Sequence, residues 1–72
     1  MENDNVNHPK HYTQGGIECI DAIESSMSEL EFRGYLKAVI IKYLWRYDKK
    51  ANEIEDLKKA KWYLEKLIKT IS

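Results

Sequence analysis

The chain has a single cysteine, Cys19, so it can form no internal disulfide. One thiol in a short chain suits a reducing compartment. No apolar run is long enough to cross a bilayer, and the N-terminus lacks the pattern of a signal peptide, so no membrane partner is expected. The chain also lacks net charge, with 12 Lys and Arg against 12 Asp and Glu. Bulk attraction to nucleic acid is therefore not implied, and no nucleic-acid partner is expected. There is no G-x-x-x-x-G-K-[ST] loop and no G-x-G-x-x-G turn. One Cys and two His do not match a structural zinc pattern, so no metal site is expected. No Ser lies beside an obvious base in the sequence, and no catalytic residue can be named. Internal repeats and low-complexity tracts are missing too.

What is present is a 72-residue chain that is 33% charged, with two Trp and five Tyr to build a core. This composition is that of a globular domain, not a disordered one. Residues 1–7, MENDNVN, read as a flexible polar tail, and residues 8–72 as one small helical domain. A core of this size stabilises by only about 3–5 kcal/mol, which makes a homo-oligomer a reasonable expectation. The charge is unevenly placed: residues 1–31 hold one Lys against seven acids, and the remainder is basic.

The periodicity predicts an all-α fold, with an extended N-terminal arm, a short first helix and an antiparallel helical hairpin. The first helix is expected over Ile17 to Met27, with Ile20, Ile23 and Met27 at helical spacing. Glu18, Asp21 and Glu24 lie on its other side. They read as a solvated acidic face in preference to a magnesium site, since Mg²⁺ usually takes one or two carboxylates plus substrate phosphates. Ser28-Glu29-Leu30-Glu31 has the form of a capping box and starts the second helix, expected from Glu29 to Asp48. Gly34 makes its first turns a candidate for irregularity. Asn52 to Glu55 is expected to cap the third helix, Glu53 to Ile71, in a similar manner. Leu57, Ala60, Leu64, Leu67, Ile68 and Ile71 share one face of that helix, flanked by Tyr63.

The second helix is apolar on two sides. Leu36, Ile40, Tyr43 and Tyr47 form one stripe, widened by Val39 and Leu44. Gly34, Ala38, Ile41 and Trp45 form another nearly opposite, with Lys42 and Arg46 on a narrow basic edge between them. Two such faces require two covers, either both other helices or another subunit. Ile41 and Trp45 are therefore expected at a subunit interface. Trp62 breaks the pattern of the third helix, standing among Lys58, Lys66 and Lys69. It is read as a subunit contact in preference to a platform for a base.

The segment before the first helix gathers hydrogen-bonding groups. His8, Lys10, His11, Tyr12 and Thr13 lie within six residues and are followed by Gly15 and Gly16. Pro9 biases His8 towards an extended backbone. The glycines allow backbone N–H groups to approach an anion, and the following helix offers its positive end. Lys42 and Arg46, one turn apart, can act on the same phosphate. These nine residues are the candidate ligand site for a nucleotide or other phosphate-bearing small molecule. The plainer alternative is an irregular arm packed on the helices, with Lys42 and Arg46 paired to Glu18, Asp21 or Glu24 across subunits.

Four ordered blocks carry a resemblance: Val6 to Tyr12 (VNHPKHY), Gly15 to Ile23 (GGIECIDAI), Ile41 to Tyr47 (IKYLWRY), and Glu55 to Ala60 with Trp62 to Leu64. Together they resemble a small family of tailed-phage proteins of unknown function, often called SaV-like or, loosely, nucleotide kinase. A larger coliphage deoxynucleoside monophosphate kinase that lacks a Walker motif contains a similar region. Ala38-Val39 stands where that family often has Gly-Asn, and the turn before the third helix lacks the usual Gly. The resemblance implies a phage protein working in the host cytoplasm. It is consistent with a nucleotide-binding protein, one that sequesters a nucleotide signal of host defence. It is also consistent with a nucleoside monophosphate phosphotransferase, for which charge neutralisation and positioning supply most of the chemistry. A third reading is an interaction module that inhibits a host enzyme through Trp45 or Trp62. No cofactor is expected, and Mg²⁺ is called for only under the phosphotransferase reading.

Overall fold

A computed structural model describes residues 13–14, 17–49 and 51–72. Among these, two short strands, β1 (Thr13–Gln14) and β2 (Ile17–Glu18), precede three helices: α1 (Cys19–Ser25), α2 (Glu29–Arg46) and α3 (Glu53–Ile71). The fold is all-α, with the strands limited to one two-residue antiparallel pairing that sets Thr13 opposite Glu18 and Gln14 opposite Ile17.

The start of α2 follows from its sequence. The Ser28 side chain accepts from the Glu31 N–H at 3.2 Å, and the Glu31 carboxylate accepts from the Ser28 N–H at 2.8 Å. This reciprocal pair satisfies two N–H groups that a helix start otherwise leaves open. Gly34 causes no irregularity: α2 runs unbroken through it. The helix stops at Arg46, two residues before the expected Asp48, and passes into a turn over residues 47–49. The Lys49 ammonium donates to the Trp45 carbonyl at 2.9 Å, a cation on the negative end of the helix. α3 has the expected bounds, but Asn52 makes no side-chain capping bond. Its φ of −108° and ψ of 64° take it out of the extended geometry that a capping side chain requires. α1 is shorter than expected, because Ile17 and Glu18 are drawn into the strand pairing.

α2 and α3 form the antiparallel hairpin. Arg46 bonds Asp56, Tyr43 stacks on Tyr63 at 6.0 Å between ring centroids, and Phe32 shares a cleft with Lys69 and Thr70. Rising numbers on one helix thus meet falling numbers on the other. The core is small: Phe32 and Leu36 are fully buried, Ala60 nearly so. Phe32 also stacks on Tyr35, with centroids 5.8 Å apart. α1 lies alongside, joined to α3 by a 3.5 Å ion pair between Glu24 and Lys66.

The buried face of α3 differs from the apolar stripe expected of it. Asp56 and Ala60 are buried, with Tyr63 and Leu67 half-buried, whereas Leu64, Ile68 and Ile71 are about half exposed. At 100° per residue the packed face is rotated away from the apolar stripe. The Arg46–Asp56 pair and the Tyr43–Tyr63 stack account for this rotation, since both hold α3 by residues beside the stripe. The two faces of α2 also fare differently. Leu36, Val39, Ile40 and Tyr43 are buried or half-buried, while Gly34, Ala38, Ile41 and Trp45 are exposed, Trp45 by 71%. The other helices do not flank both sides.

Candidate functional site

The expected ligand site falls into three parts. His8, Lys10, His11, Tyr12, Gly15 and Gly16 lie outside the described residues. Thr13 is placed on β1 opposite Glu18, the residue that precedes α1. Lys42 and Arg46 stand in the last turns of α2. The positive helix end expected after the glycines is weaker than supposed. α1 has only seven residues, and the carboxylate of Glu18 sits at its N-cap. Few aligned peptide dipoles and a nearby negative charge leave little to attract an anion.

Around Lys42 and Arg46 the structure gathers a cluster that includes residues not anticipated from the sequence. The Tyr43 ring has three cations near its centroid: the Arg46 guanidinium at 5.0 Å, and the Lys42 and Lys59 ammoniums at 5.6 Å each. Its neighbour Tyr63 lies nearly parallel to it, at 18°. Cations favour the electron-rich face of an aromatic ring. Helical spacing explains the part on α2, where residues 42, 43 and 46 fall within one turn. Lys59 and Tyr63 are also one turn apart, on α3, and arrive only through the hairpin. The sequence marks Tyr43 and Tyr63 only as members of apolar faces. The signal available was that each stands beside or one turn from a cation, on helices expected to pair.

Arg46 has a second engagement. Its Nε and Nη2 each donate to the Asp56 carboxylate at 3.2 Å. Asp56 is 3% exposed, so this fork supplies the countercharge of a nearly buried carboxylate. The hydrogen bond to Asp56 raises the Arg46 pKa above its ordinary value, more than partial burial lowers it. This partner is neither a phosphate nor one of Glu18, Asp21 and Glu24. Of those three, Glu24 pairs with Lys66 in the same chain. Lys59 also has a carboxylate near it, Glu55 at 3.6 Å, so among the described residues three cations face two carboxylates and the cluster keeps a positive excess.

The expected interface residues are placed as follows. Ile41 is 50% and Trp45 71% exposed, and Lys49 lies 5.6 Å from the Trp45 ring centroid. Trp62 is half-buried, not fully exposed, with its ring edge-on to Tyr63 at 4.9 Å. Among the described residues, no group of three or more His, Cys, Asp or Glu is arranged to hold a metal ion. None of their helices is long and apolar enough to cross a membrane. The cleft of about 420 Å³ beside Phe32, Lys69 and Thr70 lies at the other end of the hairpin from the Tyr43 cluster.

Residues 6–65 match a family described as protein of unknown function, DUF3310. The chain is 44% identical over 64 residues to the Gene 1.7 protein of Enterobacteria phage T3, an alignment that covers 83% of this chain and 39% of that protein. The chain thus spans about two fifths of the length of this curated relative. No solved structure matches. The likeness to a phage protein supports a phage origin, while a nucleotide-kinase label goes beyond what either match describes. With 60 consecutive residues matched, the chain belongs to the DUF3310 family.

Proposed function

We propose that this chain is a phage nucleotide-binding protein that acts by sequestering its ligand in the host cytoplasm. The observation that carries this reading is the convergence of Lys42, Arg46 and Lys59 on the Tyr43 ring. Phosphates need cations that can reach the same oxygens, and a base or sugar needs an aromatic face beside them. Lys42 and Lys59 are the phosphate anchors, because Arg46 spends two of its donors on Asp56. His8, Lys10, His11, Tyr12 and Thr13, with Gly15 and Gly16, are proposed as further phosphate contacts from their chemistry alone.

The test is a thermal-shift titration of the full chain with nucleoside mono-, di- and triphosphates and cyclic nucleotides. A ligand that binds only the native state raises the apparent melting temperature. At least one of these is expected to do so, and Lys42→Ala with Lys59→Ala is expected to remove the shift, measured against the variant's own unliganded melt. Absence of any shift, or equal shifts in wild type and variant, overturns the site. Turnover of ATP by the wild-type chain overturns sequestration in favour of the phosphotransferase reading.

A further inference from the structure

We infer that two copies of this chain pack through the outer face of α2, antiparallel about a two-fold axis that passes between Lys37 and Ala38. The face consists of Leu30, Gly34, Ala38, Ile41 and Trp45, all exposed, with Leu30 at 75% and Trp45 at 71%. Their spacing of four, four, three and four residues keeps them in one stripe along the helix. A soluble monomer seldom leaves so long an apolar stripe open.

The stripe is complementary to itself. Reversed about its midpoint, Leu30 meets Trp45 of the second copy, and Gly34 meets Ile41. Ile41 therefore faces a residue with no side chain, Leu30 covers the Trp45 ring, and Ala38 lies beside Lys37. At Gly34 no described residue would come within 4 Å of an added Cβ, so the notch is open and Ile41 of the second copy can enter it. Close approach at a residue without a side chain is how helices pack tightly on one another.

Charge selects the antiparallel arrangement and a second copy as the occupant. Glu31 in the first turn of α2 and Lys42 near its end flank the stripe on the same side. Glu29 is held by Arg33 at 2.6 Å and Arg46 by Asp56 within their own chain, so neither takes part. Laid antiparallel, two such helices oppose their dipoles and bring the Glu31 of each copy towards the Lys42 of the other. Glu31 then lies within about one turn of Lys42 of the second copy. Lys37 flanks the axis, where its long stem can lie along the apolar stripe with the ammonium in water.

The pairing rests on the apolar stripe and not on nucleotide binding, and Lys42, which both readings use, is left unchanged in the variants below, so the two readings fail separately. The experiment is sedimentation equilibrium on the full chain from 1 μM to 500 μM, with the Trp emission recorded across the same dilution. A dimer mass at the upper concentrations, with emission shifting to the red on dilution as Trp45 becomes wet, is the expected result. Gly34→Leu puts a side chain into the notch at a position where an added Cβ has open space, and it is expected to weaken the dimer at least tenfold while helicity persists. Trp45→Glu is expected to do the same. A monomer at 500 μM overturns the proposal. So does a dimer that survives Gly34→Leu unchanged, which would direct attention to the exposed Leu64 and Ile68 of α3 or to another partner.

Discussion

Arg46 and Asp56 join the last turn of α2 to the first turn of α3 through two hydrogen bonds of equal length, 3.2 Å. Asp56 is nearly buried, and the Arg46 side chain is about one-third exposed. A carboxylate in that position is tolerated only while its countercharge is held against it. The pair is therefore a structural lock beside the proposed site.

Removing one member should cost more than removing both. Arg46→Ala strands a buried carboxylate and should remove a large share of the small stability that a domain of this size has. Arg46→Glu should be worse, since it sets two carboxylates together, so charge reversal here cannot separate binding from folding. The double change Arg46→Met with Asp56→Leu should recover much of the loss. Urea denaturation followed by circular dichroism checks the order of the three variants.

The two helix starts should respond differently to truncation. Ser28→Ala removes a formed capping box and should cost about 1 kcal/mol. Asn52→Ala removes no side-chain capping bond and should stay within about 0.5 kcal/mol of wild type. In a domain this small, 1 kcal/mol corresponds to about 4–8 °C in Tm, so calorimetry resolves the contrast. An equal drop in both would show Asn52 capping in solution.

Gly34→Ala should stabilise the isolated chain. Gly34 sits within α2, exposed, with free space around the position of a Cβ. Replacing Gly by Ala in such a helix site is worth about 0.8–1 kcal/mol. Measured at concentrations low enough to keep the chain monomeric, a lower Tm would mean that some contact occupies the notch even there.

Trp62→Ala should lower stability and leave the assembly state alone. The indole packs edge-on against Tyr63 within its own chain. Loss of such an aromatic contact costs about 0.5–1.5 kcal/mol beyond the lost burial. Sedimentation of the variant should match wild type. A change in mass would place Trp62 at a subunit interface.

Much of the fold is legible in the residues. The capping box of Ser28 and Glu31 marks the start of α2, and a 3.6-residue period marks the hairpin. The two apolar faces of α2 are equally plain, and one of them is left exposed. The rotation of α3 is not legible, because Asp56 reads from sequence as one more surface acid near a helix start. Its burial depends on Arg46 arriving from ten positions away, which no local pattern encodes. The site is half legible for the same reason. Lys42 and Arg46 are neighbours on one helix, but Lys59 reaches Tyr43 only once α2 and α3 have paired. The carboxylate opposite Arg46 also changes its part from phosphate clamp to lock.

The order of contacts along the hairpin has a kinetic consequence. Arg46 and Asp56 enclose the shortest segment, Tyr43 and Tyr63 a longer one, and Phe32 with Thr70 the longest. The entropy lost in closing a loop grows with its length. The hairpin should therefore close from its turn outward, with the ionic lock forming first and the Phe32 end last. Contacts this local predict refolding in microseconds to milliseconds. Asp56 then meets its countercharge before the chain has gathered the apolar surface that will hide it.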